Sequence, residues 1–334
     1  MVLQWVDKHR PTSLNELNFH NDLSQRLKTL ASDGDFPHLL VYGPSGSGKK
    51  TRINCVIKEL FGEGVEKIKV DERIFQTSLS TRKQEFHTVS SIYHLEMTPS
   101  EVGNFDRVVI QDLLKEIAQT PQLDFNAKHQ FKVVVINEAD SMSHDAQAAL
   151  RRTMEKYMAN LRIILCCNSS SKIISPIRSR CLLVRVGSPS TDEVKKILHI
   201  FSKKENFPLS SIVAQKIAEE SDGNLRKAIL MLESLKFTSG TDFPKADAII
   251  KLDWETLAFE LVKYIEHENV KCQIILEAAN YVKIIYQYMV LIFIHEKHAL
   301  IIGYLFQEHQ LHLGQKAIFY LEAFAIKTMH IYKW

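Results

Sequence analysis

Residues 43–51, GPSGSGKKT, come within one side chain of a phosphate-binding loop. The pattern G-x-x-x-x-G-K-[ST] is met at Gly43, Gly48 and Lys49, then fails where Lys50 replaces a hydroxyl and Thr51 follows one residue late. In such a loop the backbone from Pro44 through Ser45, Gly46, Ser47 and Gly48 to Lys49 cradles phosphate oxygens at a helix start, and the lysine adds a point charge. The missing hydroxyl ordinarily ligates Mg²⁺. The partner of this loop is an acidic pair closing a buried strand, where Asp supports the metal and Glu polarises the attacking water. Here the strand reads VVVINEAD, so Asn137 replaces the Asp while Glu138 remains. An amide hydrogen-bonds but brings no charge to a dication. The two metal-holding positions are thus weakened together, which points to a site that binds nucleotide and hydrolyses it poorly. A Gly-rich turn without a ligand is the competing reading, and the strand-to-helix setting of the loop argues against it.

These residues require a strand before the loop and a helix after it, and the pattern supplies both. HLLVY (38–42) runs into the loop, and Ile53, Ile57 and Leu60 then recur at helical spacing. FKVVVIN (131–137) and LRIILCCN (161–168) are continuous apolar runs, as strands buried on both faces should be. Between them SHDAQAALRRTMEKY reads as a helix capped by Ser143 or Asp145, on which Arg151 and Arg152 form a solvated or interface face. After CLLVRV (181–186), Gly187 and Pro189 break the pattern, and Ser190 or Thr191 caps the next helix. A domain boundary is expected there. Helical pattern continues to about 236, TSGTDFPK (238–245) reads as a linker, and the last third is helical. At 334 residues, 45% hydrophobic, the chain can bury two or three cores. The five cysteines show no C-x-x-C pairing, the N-terminus meets charge at Asp7 and Lys8, and the apolar run at 284–294 is too short to span a bilayer, so a buried helix and no membrane partner are expected. With 42 basic and 39 acidic side chains the net charge is +3, which gives no bulk argument for nucleic acid.

Taken with the loop and INEAD, four further strings resemble one family. WVDKHRP resembles the box that lies beside adenine in AAA+ clamp-loader subunits, with Val6 and Arg10 kept and His9 where tyrosine is usual; DAQAALRRTMEKY follows. IRSRC contains the family's Ser-Arg-Cys signature at Ser179, Arg180 and Cys181, and GNLRKA places Arg226 in a helix first turn. The chain is similar to the eukaryotic small subunits of replication factor C. GKKT, INEAD, YHLEMTPSEVGN and LGQKAIFYLEAF resemble the small subunit with a degenerate ATPase site, the fifth in yeast and the third in human nomenclature.

The resemblance implies an α/β AAA+ P-loop domain with a parallel sheet (1–187), a helical lid (188–237) and an all-helical collar for oligomerisation (238–334). It implies ATP or ADP as cofactor, with Mg²⁺ weak and Thr51 as the residue left to meet a metal. Asn168 becomes the first sensor, Arg226 the second, and Arg180 a finger acting in trans on a neighbour's nucleotide. It further implies a heteropentamer of replication factor C subunits in the nucleus, serving DNA replication and repair, that opens the PCNA sliding clamp and places it on primer-template DNA. The helix at 105–120 is where such loaders track duplex backbone; Lys115 and Gln111 are its donors, opposed by Asp112 and Glu116. An independently active AAA+ remodelling ATPase, or a scaffold that binds no nucleotide, are the alternatives.

Overall fold

The computed structural model describes residues 4–32, 36–76, 83–119, 131–158 and 160–239. The chain divides into two units, Met1–Ile249 and Ile250–Trp334, and every described residue lies in the first. The expectations for the collar, for the run at 284–294 and for LGQKAIFYLEAF fall outside the described residues.

An N-terminal arm carries α1 (Trp5–Lys8), and α2 (Asn21–Ser32) leads to β1 (Leu39–Tyr42). The phosphate loop joins β1 to α3 (Lys49–Phe61). A hairpin of β2 (Lys69–Gln76) and β3 (Lys83–Ser90) folds onto β4 (His94–Met97), and α4 (Asp106–Gln119), β5 (Lys132–Ile136), α5 (His144–Lys156), β6 (Leu161–Cys167), α6 (Ser175–Arg178) and β7 (Leu182–Arg185) follow. Three helices complete the described chain: α7 (Thr191–Lys204), α8 (Ser211–Glu220) and α9 (Leu225–Ser239).

The strands lie in the order β2-β3-β4-β5-β6-β1-β7. From β4 to β7 every pairing is parallel, and the hairpin is added antiparallel at one edge. The three strands expected from apolar runs are therefore present as β1, β5 and β6, within a sheet wider than those runs announce. Alternate residues of these runs feed two cores. Leu40, Val134, Ile136, Ile163 and Leu165 pack under α4 and α5, whereas Leu39, Val41, Val133, Val135, Ile164 and Cys166 pack under α2 and α3.

Local chemistry fixes the helix starts. Ser143 caps α5 by accepting the Ala146 N–H, and the buried Asp106 carboxylate in turn accepts the Ser143 N–H at 2.7 Å and its hydroxyl at 2.9 Å. Ser190 and Glu193 form a reciprocal capping box at α7. The helices α7, α8 and α9 build a third apolar cluster with Val194, Ile197, Ile217, Ala228 and Leu232, which also takes in Trp5 and Phe19. The expected boundary after Gly187 falls between β7 and α7, inside the first unit. Among the described residues no helix is long and apolar enough to cross a membrane.

Candidate nucleotide site

The chain turns from β1 into α3 through a loop that only small residues can make. Gly46 has φ 73°, and a Cβ built on it would sit 1.8 Å from Asn224 Oδ1; one on Gly43 would sit 1.9 Å from the Val186 carbonyl oxygen. Gly48 is the N-cap of α3 and has no side chain to satisfy the first amides of the helix, so those donors face the loop. Ser47 is fully buried and donates its hydroxyl to Pro44 O at 2.9 Å, bracing the loop from beneath. Lys49 Nζ donates to Gly43 O (2.7 Å), Pro44 O (2.8 Å) and Asn168 Oδ1 (2.9 Å), linking the loop to the end of β6. Burial lowers the pKa of this lysine. Three residues on, Arg52 is buried and donates to Ser24 Oγ (2.6 Å) and Phe19 O (3.0 Å), with its guanidinium over the Phe19 ring. That ring forms the floor under Gly48.

At the end of β5, Asn137 donates its backbone N–H to Met97 O at 2.9 Å, and Glu138 adopts a left-handed backbone with φ 50°. The Glu138 carboxylate accepts the Ser100 hydroxyl at 3.1 Å. Asp140 Oδ2 accepts the Asn168 N–H at 3.3 Å, while its buried Oδ1 has no hydrogen-bond partner. Lys50 Nζ lies 2.8 Å from Glu96 Oε2 of β4.

Above the loop opens a cleft of about 830 Å³, walled by the arm, the loop, the end of β5 and the lid. Of the residues expected to meet a nucleotide, Val6, Arg10, Ser45, Gly46, Gly48, Lys49, Lys50, Thr51, Asn137, Glu138, Asn168 and Arg226 line it. Gly43, Pro44 and Ser47 belong to the loop but do not line the cleft. Arg226 stands in the first turn of α9, whose start Asn224 caps by accepting the Lys227 N–H at 3.1 Å. The arm is fastened to the lid. Trp5 is buried and donates its backbone N–H to the Glu233 carboxylate, while Glu205 accepts Lys8 Nζ at 2.6 Å, His9 Nε2 at 2.6 Å and Lys236 Nζ at 3.3 Å. These bonds, led by that from Lys8, hold the Glu205 pKa down at about 2.

Arg180 is elsewhere. It follows α6, half-exposed, with Nη2 2.5 Å from Glu155 Oε1 of α5 and Nη1 donating to Pro176 O at 2.6 Å, and it does not line the cleft of its own chain. Glu96, Asn224, Phe19, Arg52 and Glu205 support the site and were missed in sequence. The one signal available was the Asn-Leu-Arg order of GNLRKA, in which an asparagine before a helix reads as a cap.

The residues fit a nucleotide. The loop before α3 leaves no room for a Cβ at Gly43 or Gly46, the cleft has the volume of a small-molecule site, and Arg10 Nε beside it is buried without a hydrogen-bond partner. They do not fit Mg²⁺. The position that should carry a hydroxyl carries an ammonium committed to Glu96, the strand-end carboxylate is an amide, and Glu138 is bonded to Ser100. Among the described residues no three His, Cys, Asp or Glu side chains converge.

The family model described as "RCF1/5-like, AAA+ ATPase lid domain" matches residues 196–237, and that for "DNA polymerase III, delta subunit" matches 19–190. The chain is 52% identical over 347 residues to replication factor C subunit 5 of Neurospora crassa, covering 98% of this chain and 97% of that protein. It is 45% identical to replication factor C subunit 3 of Homo sapiens, covering 98% and 96%. Among solved structures, the RuvB Holliday junction branch migration motor of Thermotoga maritima is similar in fold, with a TM-score of 0.54 at 19% identity, covering 78% of this chain and 80% of that one.

Proposed function

The chain belongs to the replication factor C subunits of the AAA+ ATPases, and from that premise we propose that it is the clamp-loader subunit whose own site holds nucleotide without efficient turnover. It joins other replication factor C subunits in a heteropentamer in the nucleus, which uses ATP to open PCNA and seat it on primer-template DNA through backbone contacts. Its division is 1–187 for the nucleotide domain, 188–237 for the lid and 238–334 for the collar. In its cleft ATP or ADP lies on the loop, with Lys49, Asn168 and Arg226 toward the phosphates and Val6 and Arg10 toward the base, and fixes the domain's shape.

The observation that carries this reading is the separation of Arg180 from the cleft lined by Lys49 and Arg226. An arginine outside its own site, half-exposed after α6 and paired with Glu155 of α5, is available to a neighbouring subunit. Fingers of this kind are worth on the order of a thousandfold or more in rate. In the reconstituted complex, Arg180→Ala should lower clamp-stimulated ATP hydrolysis severalfold or more, whereas Lys49→Ala should change it little while assembly persists. The reverse ranking in steady-state ATPase assays would make this loop a working catalytic site. Retention of Glu138 favours the second reading, an independently active AAA+ enzyme; sustained turnover by the purified chain alone would support it.

A further inference from the structure

The lysine that displaces the metal-binding hydroxyl has a partner that the phosphate-loop pattern does not foresee. Residues paired across neighbouring strands project to the same face of a sheet. Glu96 pairs with Val89 on one side and with Val135 on the other, Val135 with Ile164, and Ile164 with Leu39, so this carboxylate interrupts an otherwise apolar row on the side covered by α3. Its side chain is 8% exposed, and the cation that answers it is Lys50 at 2.8 Å. A carboxylate so placed needs a charged partner, because burial without one is strongly unfavourable.

Lys50 is the second residue of α3, where the helix dipole repels cations and no acidic residue of the first turn offsets it. Two adjacent ammonium groups at this end of a helix suit an incoming anion. Glu96 takes up one side of the Lys50 head group, whose side chain is 48% exposed and lines the cleft, leaving further N–H donors for phosphate oxygens. Relative to the usual pattern, lysine for a hydroxyl adds one positive charge and Asn137 for aspartate removes one negative charge, both in the direction that loss of a dication requires, with the Glu96 carboxylate offsetting one unit.

We propose that Lys50, anchored by Glu96, stands in for the divalent cation as a tethered ammonium that neutralises nucleotide phosphates in this cleft, so that nucleotide is held without Mg²⁺. The inference rests on the nucleotide-binding reading above and gives its cause. An ammonium donates hydrogen bonds to phosphate oxygens but cannot bridge them as a Lewis acid, so binding and hydrolysis are uncoupled in this chain.

The test is titration of the purified full-length chain with fluorescent ADP, in EDTA and in excess Mg²⁺. The wild-type affinity should agree within about twofold between the two conditions. Lys50→Thr should weaken binding in EDTA by about tenfold and recover most of it with Mg²⁺, and adding Asn137→Asp should enlarge that metal response. Because Lys50→Thr orphans a buried carboxylate, Lys50→Thr with Glu96→Gln removes both charges and should show the same loss in EDTA; melting temperatures without nucleotide establish that each variant is folded. A wild-type chain that loses more than about tenfold in EDTA, or folded Lys50 variants whose affinity in EDTA stays at the wild-type level, would overturn the inference and leave the nucleotide site standing. Absence of ADP binding in both conditions would overturn the site and the inference with it.

Discussion

A single imidazole at the mouth of β1 illustrates how much stability one residue controls. His38 is buried, and its Nδ1 accepts the Ile163 N–H at 3.0 Å, so the ring must be neutral for the bond to exist. Burial first, then the charge of Arg162, pushes its pKa down from 6.5 to about 4. Between those values the unfolded chain binds the extra proton, so this contribution is complete above pH 6.5 and is lost as pH falls to 4, at about 3 kcal/mol in all. Urea midpoints measured across that range should fall more steeply for the wild type than for His38→Asn, whose amide oxygen can replace Nδ1 as acceptor; parallel slopes would remove His38 from the account. Nothing in sequence marked this residue, whereas Lys49 was expected at the cleft from the spacing of the phosphate loop, and Asn168 and Arg226 from the family resemblance; all three line it. Glu96 was illegible for a different reason. Along β4 it reads, with His94, as one of two polar residues of a short strand, and its meaning lies in the cation that reaches it from α3.

At the level of elements, β1, β5 and β6 and the helices beside them could be read because a strand buried on both faces must be apolar throughout. The hairpin of β2 and β3 escaped, since KVDERIFQ and KQEFHTVS are dense in charge and Val70 is 68% exposed: an edge ribbon with one face in water has no long apolar run to show. The fastening of arm to lid escaped as well. It depends on Glu205, which gathers Lys8, His9 and Lys236 from two distant stretches of chain. Because these partners depress the Glu205 pKa from 4.5 to about 2, their contribution is present above pH 4.5 and is lost as pH falls toward 2. Glu205→Gln should imitate that loss at neutral pH. Amide hydrogen exchange at residues 4–10 should accelerate by at least about tenfold, and nucleotide affinity should fall severalfold, since Val6 and Arg10 line the cleft from the same arm. Unaltered exchange in the variant would mean that Trp5 and Glu233 hold the arm unaided.

On the scale of the whole molecule, the described residues that line the cleft, like those of the sheet and lid clusters, lie in the unit Met1–Ile249. Nucleotide binding should therefore be separable from assembly. The proposed collar lies outside the described residues, but its sequence carries an argument. In AIFYLEAFAIKTMHIY, Ile318, Leu321, Phe324, Ala325 and Thr328 recur at helical spacing, an apolar stripe too long to leave in water. In a member of a multi-subunit family, such a stripe fits packing within the collar or against a neighbouring subunit. Deleting residues from 310 onward should accordingly abolish co-purification with the other replication factor C subunits while leaving fluorescent ADP affinity within about twofold of the full chain. Both halves of that outcome matter. Loss of nucleotide binding along with assembly would mean that the C-terminal segment supports the fold of the nucleotide unit, and an intact complex after truncation would place the oligomerisation surface elsewhere in the chain.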